Sequence, residues 1–212
     1  MTGPEVETSL RASAIERRLS TQRAGAEDEV RRLLDVGLSL MRDHPAGDLR
    51  VATIVRAAGV SNKAFYRSFG GKDELMAAVA DDGARRMVRY VRHQRDKSAD
   101  PGEQVRLVVR AVLHQARDQD AATTARAVLR LAFRTPHFRA AGGYDVQEGL
   151  AGVLTGPLAA LGSTDVERDA LLAACATISL MEHHLWREQA PSAADEDRLA
   201  AWILGIATSP AR

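Results

Sequence analysis

One cysteine, Cys175, stands in 212 residues, so the chain offers neither a disulfide framework nor a cysteine-based metal cluster. Lysine is nearly absent too. Lys63, Lys72 and Lys97 are the only three, and arginine carries almost all the positive charge. Aromatic residues make up 4% of the chain. Nowhere do 18 uncharged apolar residues run together, which argues against a membrane-spanning helix. Strict apolar/polar alternation is missing and β-branched residues do not gather in short runs, so nothing reads as strand. The opening MTGPEVETSLRASAIERRLS lacks the apolar core of a secretory leader, and a cytoplasmic location is the expectation. Basic and acidic residues nearly cancel, leaving a formal net charge of +1. A protein that coats nucleic acid generally would carry basic charge over more of its surface.

Against this balance one stretch stands out. Between Asp48 and Asp73, RVATIVRAAGVSNKAFYRSFGGK contains Arg50, Arg56, Lys63, Arg67 and Lys72 and no carboxylate, the local signature of a surface for a polyanion. Val51, Ile54, Val55 and Ala58 recur at the spacing of one helical stripe. Gly59 follows, where a left-handed residue commonly closes a helix, and Ser61 is placed to cap the next one. Two short helices joined by so tight a turn form a helix-turn-helix, whose second helix enters a major groove. Val60, Phe65 and Phe69 are expected inward; Asn62, Lys63, Tyr66 and Arg67 are expected outward. Gly70-Gly71 breaks the chain, and Lys72 opens a new helix whose backbone N–H groups, dipole and ammonium make a phosphate clamp.

The run GVSNKAFYRSFGGKDEL, preceded by ATIVRAAGV and the amphipathic LLDVGLSLMRDHP, resembles the DNA-binding domain of the TetR family of bacterial transcriptional regulators. The resemblance rests on Ile54, Ala58, Gly59, Val60, Ser61, Tyr66, Phe69, Lys72 and Leu75 and covers roughly residues 27 to 85. Lys63 and Ala64 stand where the family often has Gly then Thr. Lys63 adds a long cation toward DNA, while Ala64 lacks a hydroxyl but could touch a thymine methyl. Asp48-Leu49-Arg50 replaces the usual Thr start of the preceding helix; Asp48 is the expected cap and Arg50 a phosphate contact. The resemblance implies an all-α protein in three parts: a flexible extension over 1–24, a helix-turn-helix domain over 25–85, and an effector-binding and dimerisation domain over 86–212. It also implies a homodimer on a palindromic operator, repressing until a small effector among the central helices tilts the long connecting helix. Asn62 and Lys63 would then read bases with help from Arg67, while Arg50, Ser61, Tyr66 and Lys72 position the backbone.

Elsewhere the pattern is helical throughout. A first helix is expected over Glu27 to Asp43, with Val30, Leu33, Leu34, Gly37, Leu38 and Met41 inward, ended by His44-Pro45-Ala46-Gly47. A short helical pattern from Leu10 to Leu19 precedes it, in a segment expected to be largely disordered without DNA. The helix from Lys72 is expected to reach Arg95, with Leu75, Val79, Met87 and Tyr90 inward. After the Ser98-to-Gly102 break come helices over Val105 to Ala116, Ala121 to Arg134 (stopped by Thr135-Pro136), and, past Gly142-Gly143, Val146 to Leu161, which Gly156-Pro157 should kink. Thr164 with Glu167 reads as a capping box for a helix burying Leu171, Ala174, Cys175, Ile178, Met181 and Leu185. The last helix carries Leu199, Trp202, Ile203 and Ile206. By the resemblance these two final helices pair with a second subunit, and Ala173, Ala174, Ala200 and Ala201 would permit close packing.

Function in the body rests on weaker signals. An apolar effector could be lined by Met87, Tyr90, Val109, Leu113 and His114, with Leu129, Phe133, Phe138, Leu154, Ile178 and Trp186 around them, although each taken alone reads as ordinary core. His114, Tyr90 or His183 could orient such a ligand. The adjacent His183 and His184 point about 100° apart on a helix and cannot chelate as an i, i+4 pair would. His93, His114 and His137 lie on other segments, so neither a metal nor another cofactor is expected. Without a nucleophile elbow, phosphate loop or dinucleotide fingerprint, an enzyme is disfavoured. An interaction module whose head contacts protein is disfavoured by the acid-free face.

Overall fold

The computed structural model describes residues 10–43, 49–134 and 145–208, with the backbone alone over 131–134. Among them are nine helices and no strand: α1 (Leu10–Asp43), α2 (Val51–Ala58), α3 (Asn62–Ser68), α4 (Lys72–Arg95), α5 (Pro101–Arg117), α6 (Gln119–Arg134), α7 (Val146–Ala160), α8 (Val166–Arg187) and α9 (Ala193–Ala207). Two apolar clusters organise them. The head gathers Leu33, Ile54, Phe65 and Leu75, all fully buried, with Met41, Val55, Ala58, Phe69, Met76 and Val79 around them. The body is built around α5, which touches α4, α6, α7, α8 and α9. Its Val105, Val108, Val109, Val112 and Leu113 are fully buried, each contributing about 1.5–3 kcal/mol relative to an exposed side chain.

Helix α4 belongs to both clusters. Leu75, Met76 and Val79 lie in the head core, and Val88 and Val91 lie in the body core. Helix α6 also bridges them, with Ala122 in the body and Ala127 in the head. The expected boundary at residue 85 therefore separates the head from one of its own packing residues. Where α1 crosses α4, Gly37 lets the backbones approach: a Cβ there would lie 3.0 Å from Val79 Cγ2.

Several expectations are corrected. Helix α1 does not begin near Glu27; it is continuous from Leu10. Residues 10–26 bury almost nothing, with Leu10 88% and Leu19 60% exposed. Only helix propensity, high for the Ala, Arg, Glu and Leu found here, marks such a segment in sequence. On α4, Tyr90 is exposed and Val88 and Val91 take the inward positions, while Met87 packs at the edge of the body core. The cap of α8 is Asp165, not Thr164: its carboxylate accepts from Arg168 N at 3.4 Å. On α8, Leu171 and Cys175 face outward, and Ala170, Ala173, Ala174 and Thr177 face inward beside Ile178, Met181 and Leu185. Ala173, Ala174 and Ala200 thus pack within the chain rather than on a free face. Pro157 sits inside α7. The stops at His44 to Gly47 and Thr135-Pro136, the Asp48 cap, the Gly142-Gly143 hinge, and residues 1–9, His137 and Phe138 lie outside the described residues.

Candidate nucleic-acid interface

The turn between α2 and α3 is built as its residues dictate. Gly59 closes α2 in the left-handed region (φ 64°), where a side chain would be strained, and its N–H reaches the last carbonyls of the helix. Two residues on, the Ser61 hydroxyl accepts from Ala64 N at 3.1 Å, which fixes the first turn of α3. Phe65 is fully buried and Phe69 nearly so; Tyr66 stands edge-on to Phe65 with ring centroids 5.1 Å apart. That anchoring leaves the Tyr66 ring 59% exposed.

The outward face of α3 carries Asn62, Lys63, Tyr66 and Arg67, all exposed. At positions i, i+1, i+4 and i+5 they share one side of the helix. Ala64 is corrected: it is buried at 7% exposure, on the side of α3 turned away from Tyr66. It is a packing residue rather than one that could meet a thymine methyl. Arg67 is tied down, its guanidinium donating to Glu29 of α1 at 2.7 Å. Nothing local in the sequence points to this partner, 38 positions away.

Arg50 is the exposed N-cap residue of α2 and makes no side-chain cap. On the other side of the recognition helix, Lys72 opens α4, where the N-cap Gly71 offers no side chain. Glu74 reaches back to accept from Gly70 N at 2.6 Å. The uncapped first turn presents backbone N–H groups and the positive end of the helix dipole beside Lys72, a geometry that suits a phosphate. Arg50, the α3 face and Lys72 thus come from three successive helix starts packed on one small core.

In the body the expected effector-lining residues divide between core and surface. Val109, Leu113, Leu154 and Ile178 are core, and Met87 and Leu129 pack at its edge. Tyr90 and His114 lie outside, with ring centroids 6.3 Å apart, and Trp186 is 43% exposed. The Phe133 side chain lies outside the described residues. His183 is exposed, whereas His184 turns toward α9, with Nε2 3.6 Å from Asp195. Sequence reasoning also missed Arg95, which donates to the Val153 carbonyl at 3.0 Å and joins the end of α4 to α7. No described helix is long and apolar enough to cross a membrane.

A helix-turn-helix head thus sits on an all-helical body. Residues 33–79 match the family of bacterial regulatory proteins, tetR family. A TetR-like transcriptional regulator from Rhodococcus sp. RHA1 superposes with a TM-score of 0.55 at 19% identity, covering 84% of this chain and 93% of that one. RolR in complex with resorcinol gives 0.59 at 16% identity, covering 89% and 97%. A TetR-family transcriptional regulator from Streptomyces coelicolor gives 0.56 at 19% identity, covering 84% and 96%. None of the curated proteins matches the chain. The head thus matches the tetR family over residues 33–79, and the chain as a whole shares the fold of these TetR-like transcriptional regulators.

Proposed function

We infer that the protein is a sequence-specific repressor that binds a palindromic operator as a homodimer and releases it when a small apolar molecule enters the body. The observation that carries this reading is the recognition helix. Its buried Phe65 and capping Ser61 hold Asn62, Lys63 and Tyr66 outward, between Arg50 and Lys72 at two helix starts. Asn62 and Lys63 have the donors and acceptors to read base edges. Arg50, Tyr66 and Lys72 suit phosphates, and the Ser61 hydroxyl keeps its proton to donate while accepting from Ala64 N.

Dimerisation is supported by α8. Leu172, Cys175, Ser179, Glu182 and Trp186 follow one another at steps of three and four, the spacing of a helix–helix seam. Leu172 and Trp186 are half-exposed in the single chain, as are Leu171 beside them and Trp202 on α9. Exposed apolar side chains on these two helices suit a second copy. The two-fold symmetry of a dimer then calls for a two-fold operator.

The body core supports an apolar effector. Thr177 is the one fully buried polar side chain among the described residues, and its hydroxyl already donates to the Ala173 carbonyl at 2.6 Å. A molecule displacing side chains there finds aliphatic partners. It would act by binding one head spacing better than another, with a coupling of about 1–3 kcal/mol. That RolR was solved with resorcinol is consistent with a body of this fold accepting a small molecule.

The test is selection from a random duplex library at about 150 mM salt, where non-specific phosphate binding is weakened. Enrichment of a two-fold palindrome supports the reading. Retention of all sequences equally, or of none by ligand-stripped protein, sinks it.

A further inference from the structure

Helix α1 carries a series of ion pairs that orients it. Near its C-terminal end Arg42 lies 3.7 Å from Asp120 of α6, in the body. Two turns back, Asp35 accepts from Arg86 of α4 at 3.3 Å. Two turns further, Glu29 accepts from Arg67 of the recognition helix. The helix therefore runs from body to recognition helix as it is followed toward its N-terminus, and residues 10–26 continue beyond α3 on the side away from the body.

That continuation has almost no packing to explain it, since every residue from Leu10 to Asp28 except Ser13 is exposed. Its charge is one-sided. Between Leu10 and Ala26 the sequence holds four arginines, Arg11, Arg17, Arg18 and Arg23, and one carboxylate, Glu16. The acidic run Glu27-Asp28-Glu29 that follows is neutralised in place, by Arg23 on Glu27, Arg31 and Arg32 on Asp28, and Arg67 on Glu29. Arg17 donates only to the Ser13 carbonyl, and neither it nor Arg18 has a carboxylate within ion-pair distance among the described residues.

We propose that the first five turns of α1 form a second DNA-binding element, an arginine arm that lies along the duplex outside the base pairs read by α3. It rests on the reading of α3 as a DNA recognition helix and adds a separate contact to it. From Leu10 to Glu29 the helix spans about 28 Å at 1.5 Å per residue, the length of about eight base pairs at 3.4 Å each. The ligand chemistry is backbone phosphate: arginine guanidinium groups without base-reading partners position and strengthen binding without adding sequence preference. The exposed Ile15 and Leu19 share the face that continues into Leu33 and Gly37, leaving Arg17 on the opposite side and Arg18 on one flank.

The test compares the full chain with an Arg17→Gln/Arg18→Gln variant and with a chain lacking residues 1–22, on a long duplex carrying the selected operator. Glutamine keeps the helix propensity, and thermal melts confirm that the truncated head still folds. The expected result is a salt dependence shallower by about 0.9 in log–log slope for each phosphate that the arm no longer engages, with the protected region shrinking at both outer ends and the preferred sequence unchanged. Slopes and footprints equal to those of the full chain overturn the proposal. So does a truncation that changes only self-association of the free protein, since Ile15 and Leu19 would then be covered by protein. Failure of the full chain itself to select any duplex would instead defeat the DNA-binding reading, and the arm with it.

Discussion

Arg67 of the recognition helix is held by Glu29 of α1, guanidinium to carboxylate at 2.7 Å. A cation placed to meet DNA is thus engaged by the protein before DNA arrives, and binding must exchange one partner for the other. The pair is largely solvent-exposed on the arginine side, and such pairs contribute about 0–1 kcal/mol. Glu29→Gln should therefore tighten operator binding by up to about fivefold per half-site, from the same limit of about 1 kcal/mol. Fluorescence anisotropy checks it; weaker binding would mean that Glu29 orients Arg67 for contact rather than withholding it.

Lys63 and Lys72 should fail differently. Lys72→Ala removes a charge at the start of α4 and should weaken binding to every sequence, making the salt slope shallower by about 0.9 for each protomer. Lys63→Ala should change the base preference at one position of each half-site, with a cost of about 1–3 kcal/mol against the preferred base. Parallel selections and salt titrations on both variants separate the roles.

The close approach of α1 to α4 depends on Gly37. A Cβ there would stand 3.0 Å from Val79 Cγ2 and 3.4 Å from Met76 Cε, both in the head core. Gly37→Val should destabilise the protein by about 1–3 kcal/mol through overpacking, read from urea unfolding. Operator affinity should fall with it, because α1 and α4 frame the recognition helix.

Burial pushes the Glu182 carboxyl up from its ordinary range. A carboxyl whose folded pKa lies above its unfolded value favours the folded state while protonated, and that advantage is lost as pH rises through the folded value. Glu182→Gln should accordingly raise the Tm at neutral pH and leave it unchanged at pH values below the unfolded carboxyl pKa of about 4.3. Since Glu182 shares the outward stripe of Leu172, Cys175, Ser179 and Trp186, the same variant should tighten self-association at neutral pH. Sedimentation as a function of concentration measures that effect.

What could be read from sequence was local. Gly59 and Ser61 announce the turn because their chemistry acts within three residues, and the break at Ser98 to Gly102 marks the junction of α4 and α5 for equally local reasons. Which side of a helix meets which neighbour is a tertiary matter. Leu171 and Cys175 fit a helical stripe as well as Ala170 and Ala173 do, and only the packing of α8 against α5 and α7 decides between them. Ala64 shows the same difficulty at the recognition helix, where one residue of rotation separates a base contact from a core methyl. Arg67 was legible as an exposed cation, whereas its partner Glu29 required the fold. The helical pattern from Leu10 was legible, but its continuity with the rest of α1 was not, because an unpacked helix leaves no burial pattern.

Ala127 of α6 belongs to the head core, and Val128 beside it fills the space next to Gly83 of α4. During synthesis the recognition helix leaves the ribosome long before the segment that covers its support. The head, although first in the chain, acquires its last packing neighbours only after α6 has emerged. A nascent or truncated chain that stops short of α6 carries the full set of DNA-facing side chains on an incompletely assembled scaffold.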